Sequence, residues 1–154
     1  MDLKTKIIAA EDAQDLTIVR DFELPVELLF KANSEKELLE KWMGTKVIKL
    51  ESRKHGSYEF ETSRGGNVVF KADGTIHEYI ENDIIIRTFE MANMPIGVQL
   101  EFLRFEKLTD DTSKITIHII YQSKEHRAEQ LKLPFEMGLN MAHNNLQKII
   151  SEQL

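Results

Sequence analysis

The chain has 154 residues and a mass of 17.9 kDa, the size of one domain whose core needs no covalent staples. It contains no cysteine, which excludes disulfides, thiolate metal sites and a cysteine nucleophile. A formal charge of −6 and an isoelectric point near 5.4 argue against a nucleic-acid partner, which asks for a basic excess.

Residues 1–15 hold only the short apolar patch Ile7-Ile8-Ala9-Ala10, with Lys4, Lys6 and acids around it. That is shorter than a signal-peptide core, and no run approaches the ~20 apolar residues of a membrane span. A cytoplasmic protein without integral membrane contact is therefore expected. It would form a single domain over 1–154, with an N-terminal extension over 1–15 in which one extra short strand fits. From Leu16 to Glu23, Ile18, Arg20 and Phe22 alternate with Thr17, Val19 and Asp21, the period of a strand. Pro25 suits the first turn of a helix that runs through Leu28, Leu29 and Ala32. Ser34-x-x-Glu37 has the spacing of a capping box for a second helix, whose Leu38/Trp42 and Leu39/Met43 pairs share one face. Gly44 is placed to end it in a left-handed conformation.

Beyond Lys46 the period becomes two. Strands are predicted over 46–52, 57–63, 67–72, 75–81, 84–92, 97–108 and 113–122. Turns are predicted at Lys54-His55-Gly56, Ser63-Arg64-Gly65-Gly66, Asp73-Gly74, Asn82-Asp83 and Thr109-Asp110-Asp111. Such short connections favour antiparallel hairpins. The last segment is helical again: Phe135, Leu139, Ala142, Leu146, Ile149 and Ile150 recur at three- and four-residue steps. Pro134 marks either its start or a kink in a helix beginning near Lys124. Only this helix is long and amphipathic enough to cover one face of the sheet.

The stretch Arg20-x-Phe22-x-Leu24-Pro25-x-x-Leu28-x-Phe30-x-Ala32-x-Ser34, continuing to Leu39-x-x-Trp42-x-Gly44, resembles the opening of a known family. That family is the bacterial homologues of the activator of the 90-kDa heat-shock chaperone's ATPase, within the START-like or SRPBCC superfamily. Further along, Gly74-x-x-His77-Glu78, Thr88-Phe89-Glu90, Arg104-Phe105-Glu106, Tyr121-Gln122-Ser123-x-Glu125-x-Arg127 and Gly138 are similar to family positions in order and spacing. Gly138 would permit a close approach in the last helix. Asn33, Met43, Thr45 and Pro134 depart from the family pattern. The resemblance implies an α+β helix-grip fold of the birch-pollen-allergen type. Its strongly bent antiparallel sheet would have about six to seven strands, two short helices would follow the first strand, and a long C-terminal helix would pack across the sheet.

Such a layout encloses an interior, and candidates to line a ligand cavity follow. On strands they are Tyr58, Phe60, Phe70, Phe89, Leu100, Phe102 and Tyr121; on the terminal helix they are Phe135, Leu139 and Ala142. The same side chains would equally fill an ordinary core. Trp42, the sole tryptophan, is either a cavity-mouth residue or a core anchor. Met91, Met94, Met137 and Met141 are available as adaptable lining. His77 and His118, each flanked by apolar strand residues, are the histidines to expect on inward faces, with a satisfied structural role as their default. His143 falls on the polar side of its helix. Asn145, at the edge of the apolar stripe, is either a polar group for the cavity or a hydrated boundary residue. No catalytic residue, cofactor or metal site is expected, because no H-E-x-x-H, G-x-S-x-G or G-x-G-x-x-G pattern occurs.

The expected function is binding of a small apolar or amphipathic ligand between sheet and terminal helix, without catalysis. The resemblance implies two alternatives. One is a chaperone-associated interaction module that stimulates the chaperone's ATPase. The other is a cavity enzyme of the cyclase or hydrolase type found elsewhere in the superfamily.

Overall fold

The computed structural model describes residues 3–153. One antiparallel sheet of eight strands runs β1 (Lys6–Ile8), β2 (Asp15–Phe22), β8 (Thr112–Ile120), β7 (Val98–Thr109), β6 (Ile84–Met91), β5 (Asn67–Ile80), β4 (Ser57–Arg64) and β3 (Lys46–Leu50) in spatial order. Helices α1 (Val26–Ser34) and α2 (Lys36–Met43) join β2 to β3, and α3 (Lys124–Lys132) and α4 (Phe135–Ser151) follow β8. This is the α+β helix-grip arrangement, with a strand count above the expected six to seven because β1 adds an edge beside β2.

Local chemistry explains most boundaries. Gly44 ends α2 at φ 63°, and Gly65 and Gly66, at φ 58° and 82°, make the β4–β5 turn of the type that matches strand twist. Asn82 takes φ 62° in the turn to β6. Pro25 sits one position before the helix proper, where its carbonyl accepts from the N–H groups of Leu28 and Leu29.

Two expectations are corrected, and one open choice is decided. Asp73-Gly74 is not a turn: it lies inside one continuous strand, β5, which joins the expected 67–72 and 75–81 and ends at Ile80. Glycine stands there for space, since a Cβ would lie 2.0 Å from the Thr88 carbonyl oxygen and 2.6 Å from the Tyr58 hydroxyl. The Ser34-x-x-Glu37 capping box does not form. Ser34 is the last residue of α1, its hydroxyl donates back to the Phe30 carbonyl, and Glu35 occupies the N-cap of α2 without a side-chain cap. Of the two readings of Pro134, the start of the terminal helix holds: it is the N-cap of α4, and α3 ends at Lys132. Leu133, ahead of Pro134, is extended at φ −77° and ψ 159°, as steric conflict with the proline ring demands.

The phase of β7 is set by a bulge. Lys107 pairs with Ser113 but Thr109 pairs with Thr112, leaving Leu108 as the extra residue. Beyond the bulge Leu103 opposes Ile117, and Glu101 opposes Ile119. Gln99, Glu101, Leu103 and Phe105 therefore face inward, all of them buried. A regular two-residue hairpin would have put Leu100 and Phe102 on that side, and the one-residue shift turns them out.

The helices close the inner face without filling it. α4 packs most closely on α2, with lesser approaches to α1, α3 and the edge strand β1. Two anchors hold this frame. Trp42 Nε1 donates to the Ala32 carbonyl at 2.7 Å, and Asn145 Nδ2 donates to the Trp42 carbonyl at 3.0 Å, tying α1, α2 and α4 together. At the other side Thr5 is fully buried between the sheet and α4. Its N–H donates to Asn140 Oδ1 at 2.9 Å, and its Oγ1 lies 2.8 Å from His143 Nδ1. Arg20 Nη1 donates to both Thr5 Oγ1 and Asn140 Oδ1.

Two predictions follow from this packing. Gly74→Ala is expected to cost roughly 1–3 kcal/mol, the range of overpacking, measured as a lower urea midpoint with an unchanged slope. Burial, reinforced by the charge of Arg20, pushes the His143 pKa from 6.5 down to about 3. Between those values the unfolded chain holds a proton that the folded chain does not, so stability falls as pH drops through that window, by up to about 1.4 kcal/mol per pH unit. His143→Gln should flatten this part of the stability–pH curve, and an unaltered curve would contradict the assignment.

Candidate functional site

Between the inner sheet face and the helices lies a cavity of about 630 Å³. Its wall is largely apolar. α2 supplies Leu39, Trp42 and Met43, β8 supplies Ile117 and Ile119, and α4 supplies Phe135, Leu139 and Ala142. Val69, Asn93, Pro134 and Gly138 line it while remaining exposed, which places the mouth beside the α3–α4 interruption. The break at Leu133–Pro134 thus keeps helix backbone away from that opening. Gly138 has no atom within 4 Å of where a Cβ would stand, so it borders open space, and the expected close approach is not what it serves.

The cavity floor carries a polar cluster. Arg87 on β6 and Glu101 on β7 are direct cross-strand neighbours, and Phe89 faces Gln99 one step along. Arg87 Nε donates to Glu101 Oε1 at 2.9 Å, and Gln99 Nε2 donates to Glu101 Oε2 at 2.7 Å. Both carboxylate oxygens are therefore satisfied. The guanidinium lies over the Tyr58 ring at 5.1 Å and the Phe89 ring at 6.0 Å. Burial alone would lower the Arg87 pKa, but Tyr58 and Glu101 outweigh it and hold the group above its ordinary range. Burial likewise pushes the Tyr58 hydroxyl up, and that hydroxyl donates to the Thr88 carbonyl. The ring is thereby fixed as a platform under the guanidinium.

Of the sequence-derived candidates, Trp42, Phe60, Phe70 and Phe89 stand in the cavity wall with Phe135, Leu139 and Ala142. Trp42 is also 93% buried and hydrogen-bonded, so wall and anchor are one role. The others lie elsewhere. Tyr58 is buried beneath Arg87, and Tyr121 is buried with its hydroxyl on Gln130 Oε1. Leu100 and Phe102 face outward for the register reason above. His118 is on the same outer face, bound to Asp15 Oδ2 at 2.8 Å and stacked on Phe102. His77 is exposed beside His55, next to the β5 irregularity between Ile76 and Glu78. Asn145 is an exposed capping group for the end of α2. Met91 and Met94 line the cavity, whereas Met137 and Met141 are 63% and 65% exposed.

Sequence reasoning missed Arg87, Gln99, Glu101, Gln130 and His143, all of which line the cavity. Arg87 and Glu101 had a signal: Arg87 directly follows Ile84-Ile85-Ile86 and Glu101 stands between Leu100 and Phe102, charges of opposite sign on adjacent strands. His143 was misplaced because its helix neighbours are polar, and it is buried by Thr5, from the far end of the chain. Three departures from the family pattern, Asn33, Met43 and Pro134, border the cavity, while Thr45 is buried away from it and accepts from the Thr62 hydroxyl. Among the described residues, no group of three or more His, Asp or Glu is arranged to hold a metal ion, and no helix is long and apolar enough to cross a membrane.

Comparison with solved structures gives full-length matches. Protein Ms6760 from Mycobacterium smegmatis is 20% identical with a TM-score of 0.83, covering 95% of this chain and 96% of that one. A protein from Rhodobacter sphaeroides is 18% identical with a TM-score of 0.84, covering 96% and 99%. One from Arthrobacter aurescens is 17% identical, again with a TM-score of 0.84, covering 96% and 91%. At such identities the likeness is one of fold. No curated protein sequence matches the chain. The family model described as "Activator of Hsp90 ATPase homolog 1-like protein" matches residues 23–151, from the end of β2 to the last residue of α4. The chain belongs to that family, the Activator of Hsp90 ATPase homolog 1-like proteins.

Proposed function

We propose that this protein binds a small apolar or amphipathic molecule in the cavity between sheet and α4, and that it does so without catalysis. The observation that carries this reading is the cavity itself: about 630 Å³, mostly apolar, and reached past Pro134 and Gly138. That volume lies within the range of small-molecule sites. The one carboxylate on its floor, Glu101, is held by a hydrogen bond on each oxygen and paired with Arg87, which ties it in place. A cavity enzyme therefore finds less support than a binding protein.

A second reading, association with a chaperone, is supported by the family description and by the outer sheet face. There Ile80 pairs with Ile84, Ile86 with Phe102, and Leu100 with Ile120. Ile80, Val98 and Leu100 are 36–48% exposed, so an apolar row crosses the face opposite the cavity. A chaperone partner would dock there. Leu100→Asp should abolish any stimulation of a chaperone ATPase, while a rate unaffected by the unsubstituted protein removes the reading.

The cavity reading predicts opposite signs for one substitution. Gly138→Leu places a good helix former in α4, where the missing Cβ borders open space, so the free protein should gain up to about 1 kcal/mol. The same side chain narrows the mouth, so ligand-induced thermal shift should shrink. Trp42, the only tryptophan and a wall residue, supplies the fluorescence readout. A Gly138→Leu protein that binds as well as the unsubstituted one would place the ligand elsewhere.

A further inference from the structure

We propose that the cavity floor is a carboxylate receptor, so that the ligand is an apolar molecule bearing one carboxylate, held by the outer edge of the Arg87 guanidinium. The inference rests on the cavity reading above and adds the chemical class of the ligand. Arginine presents five N–H donors in a rigid fork. In Arg87 only the Nε–H is used, on Glu101 Oε1; Nη1 and Nη2 make no hydrogen bond to any described residue. No buried side-chain nitrogen or oxygen among the described residues is without a partner. Nη1 and Nη2 are therefore not sealed in the core. They keep accessible surface on a side chain that is 19% accessible and lines the cavity.

Apart from Glu101, the other polar groups in the wall are neutral and each has one atom engaged. Gln99 Nε2 is on Glu101, Gln130 Oε1 accepts from Tyr121, His143 Nδ1 is on Thr5, and Asn33 Nδ2 is on the Leu29 carbonyl. Arg87 is thus the one cationic donor among the described residues of an apolar wall. It is also immobilised, because Glu101 holds Nε while Tyr58 and Phe89 hold the guanidinium plane. Two parallel N–H bonds on a fixed plane match the two oxygens of a carboxylate. Glu101 already neutralises the arginine, so a dianionic phosphate would bring two further negative charges to one cation. A single carboxylate is the largest charge this floor suits, and the aromatic wall takes the apolar remainder.

The test is isothermal titration of two matched pairs, decanoate and 1-naphthylacetate, each against its own methyl ester. At least one acid should bind about tenfold more tightly than its ester, the increment of a charge-assisted contact. Glu101→Gln removes the competing negative charge and should tighten the acid further without tightening the ester, which a purely structural role for the pair would not do. Arg87→Met alone would strand a buried carboxylate, so it is combined with Glu101→Leu to keep the floor neutral and packed. In that double variant the acid should fall to the level of its ester. Acid and ester binding alike to the unsubstituted protein would overturn the carboxylate receptor and leave the cavity reading intact. A double variant that still prefers the acid would overturn the role of Arg87. Absence of binding by all four probes would count against both.

Discussion

The arrangement of the interior depends on the register of one hairpin. With Leu108 bulged out of the β7–β8 ladder, Glu101 is carried to the inner face and meets Arg87 across β6. Side chains alternate with period two along a strand, so removing that one residue would exchange the two faces of β7. Leu100 and Phe102 would turn in, Glu101 would turn out, and Arg87 would be left as a buried cation. The floor, the platform of Tyr58 and Phe89, and the outward row on the opposite face all follow from this local irregularity.

The buried ion pair is hard to explain as a device for stability. Replacing such a pair with well-packed apolar residues is commonly neutral or favourable, whereas losing one partner costs several kcal/mol. The hydrogen bond from Gln99 and the stacking of Arg87 on two rings lower the pair's desolvation cost but do not make it better than a leucine would be. What the pair does supply is direction. It fixes a planar donor at a known place in a chamber that is otherwise greasy and undirected.

The legible and hidden parts of this chain divide along physical lines. The inward set Ile115, Ile117 and Ile119 was readable because it alternates with Lys114, Thr116 and His118 along β8. Gly44 and Gly65-Gly66 were readable because a positive φ selects glycine. β7 was not, because each of its faces mixes apolar with polar or charged residues and the deciding bulge has no residue signature. Gly74 misled because glycine answers to close approach as well as to turns. His118 misled because an apolar neighbourhood in sequence can lie on an outer face, where Phe102 and Asp15 give the ring its partners. His143 was hidden for the complementary reason, since the residue that buries it is Thr5.

The position of β2 in the sheet carries a consequence for how the molecule assembles. β2 is made early in the chain, yet its sheet partner besides the short β1 is β8, with Asp15 opposite Ile120. Closing that ladder means bringing together segments roughly a hundred residues apart, with the entropy that such a loop forfeits. The hairpins from β3 to β8 can each zip locally, but the joint between the two ends of the fold is a late event, and mixed topologies with such long-range pairing fold slowly for their size. During synthesis β2, α1 and α2 leave the ribosome long before β8 exists. Until then the apolar side of β2, with Leu16, Ile18 and Phe22, has no sheet to lie in, so the nascent chain is open to unwanted association at its N-terminal end.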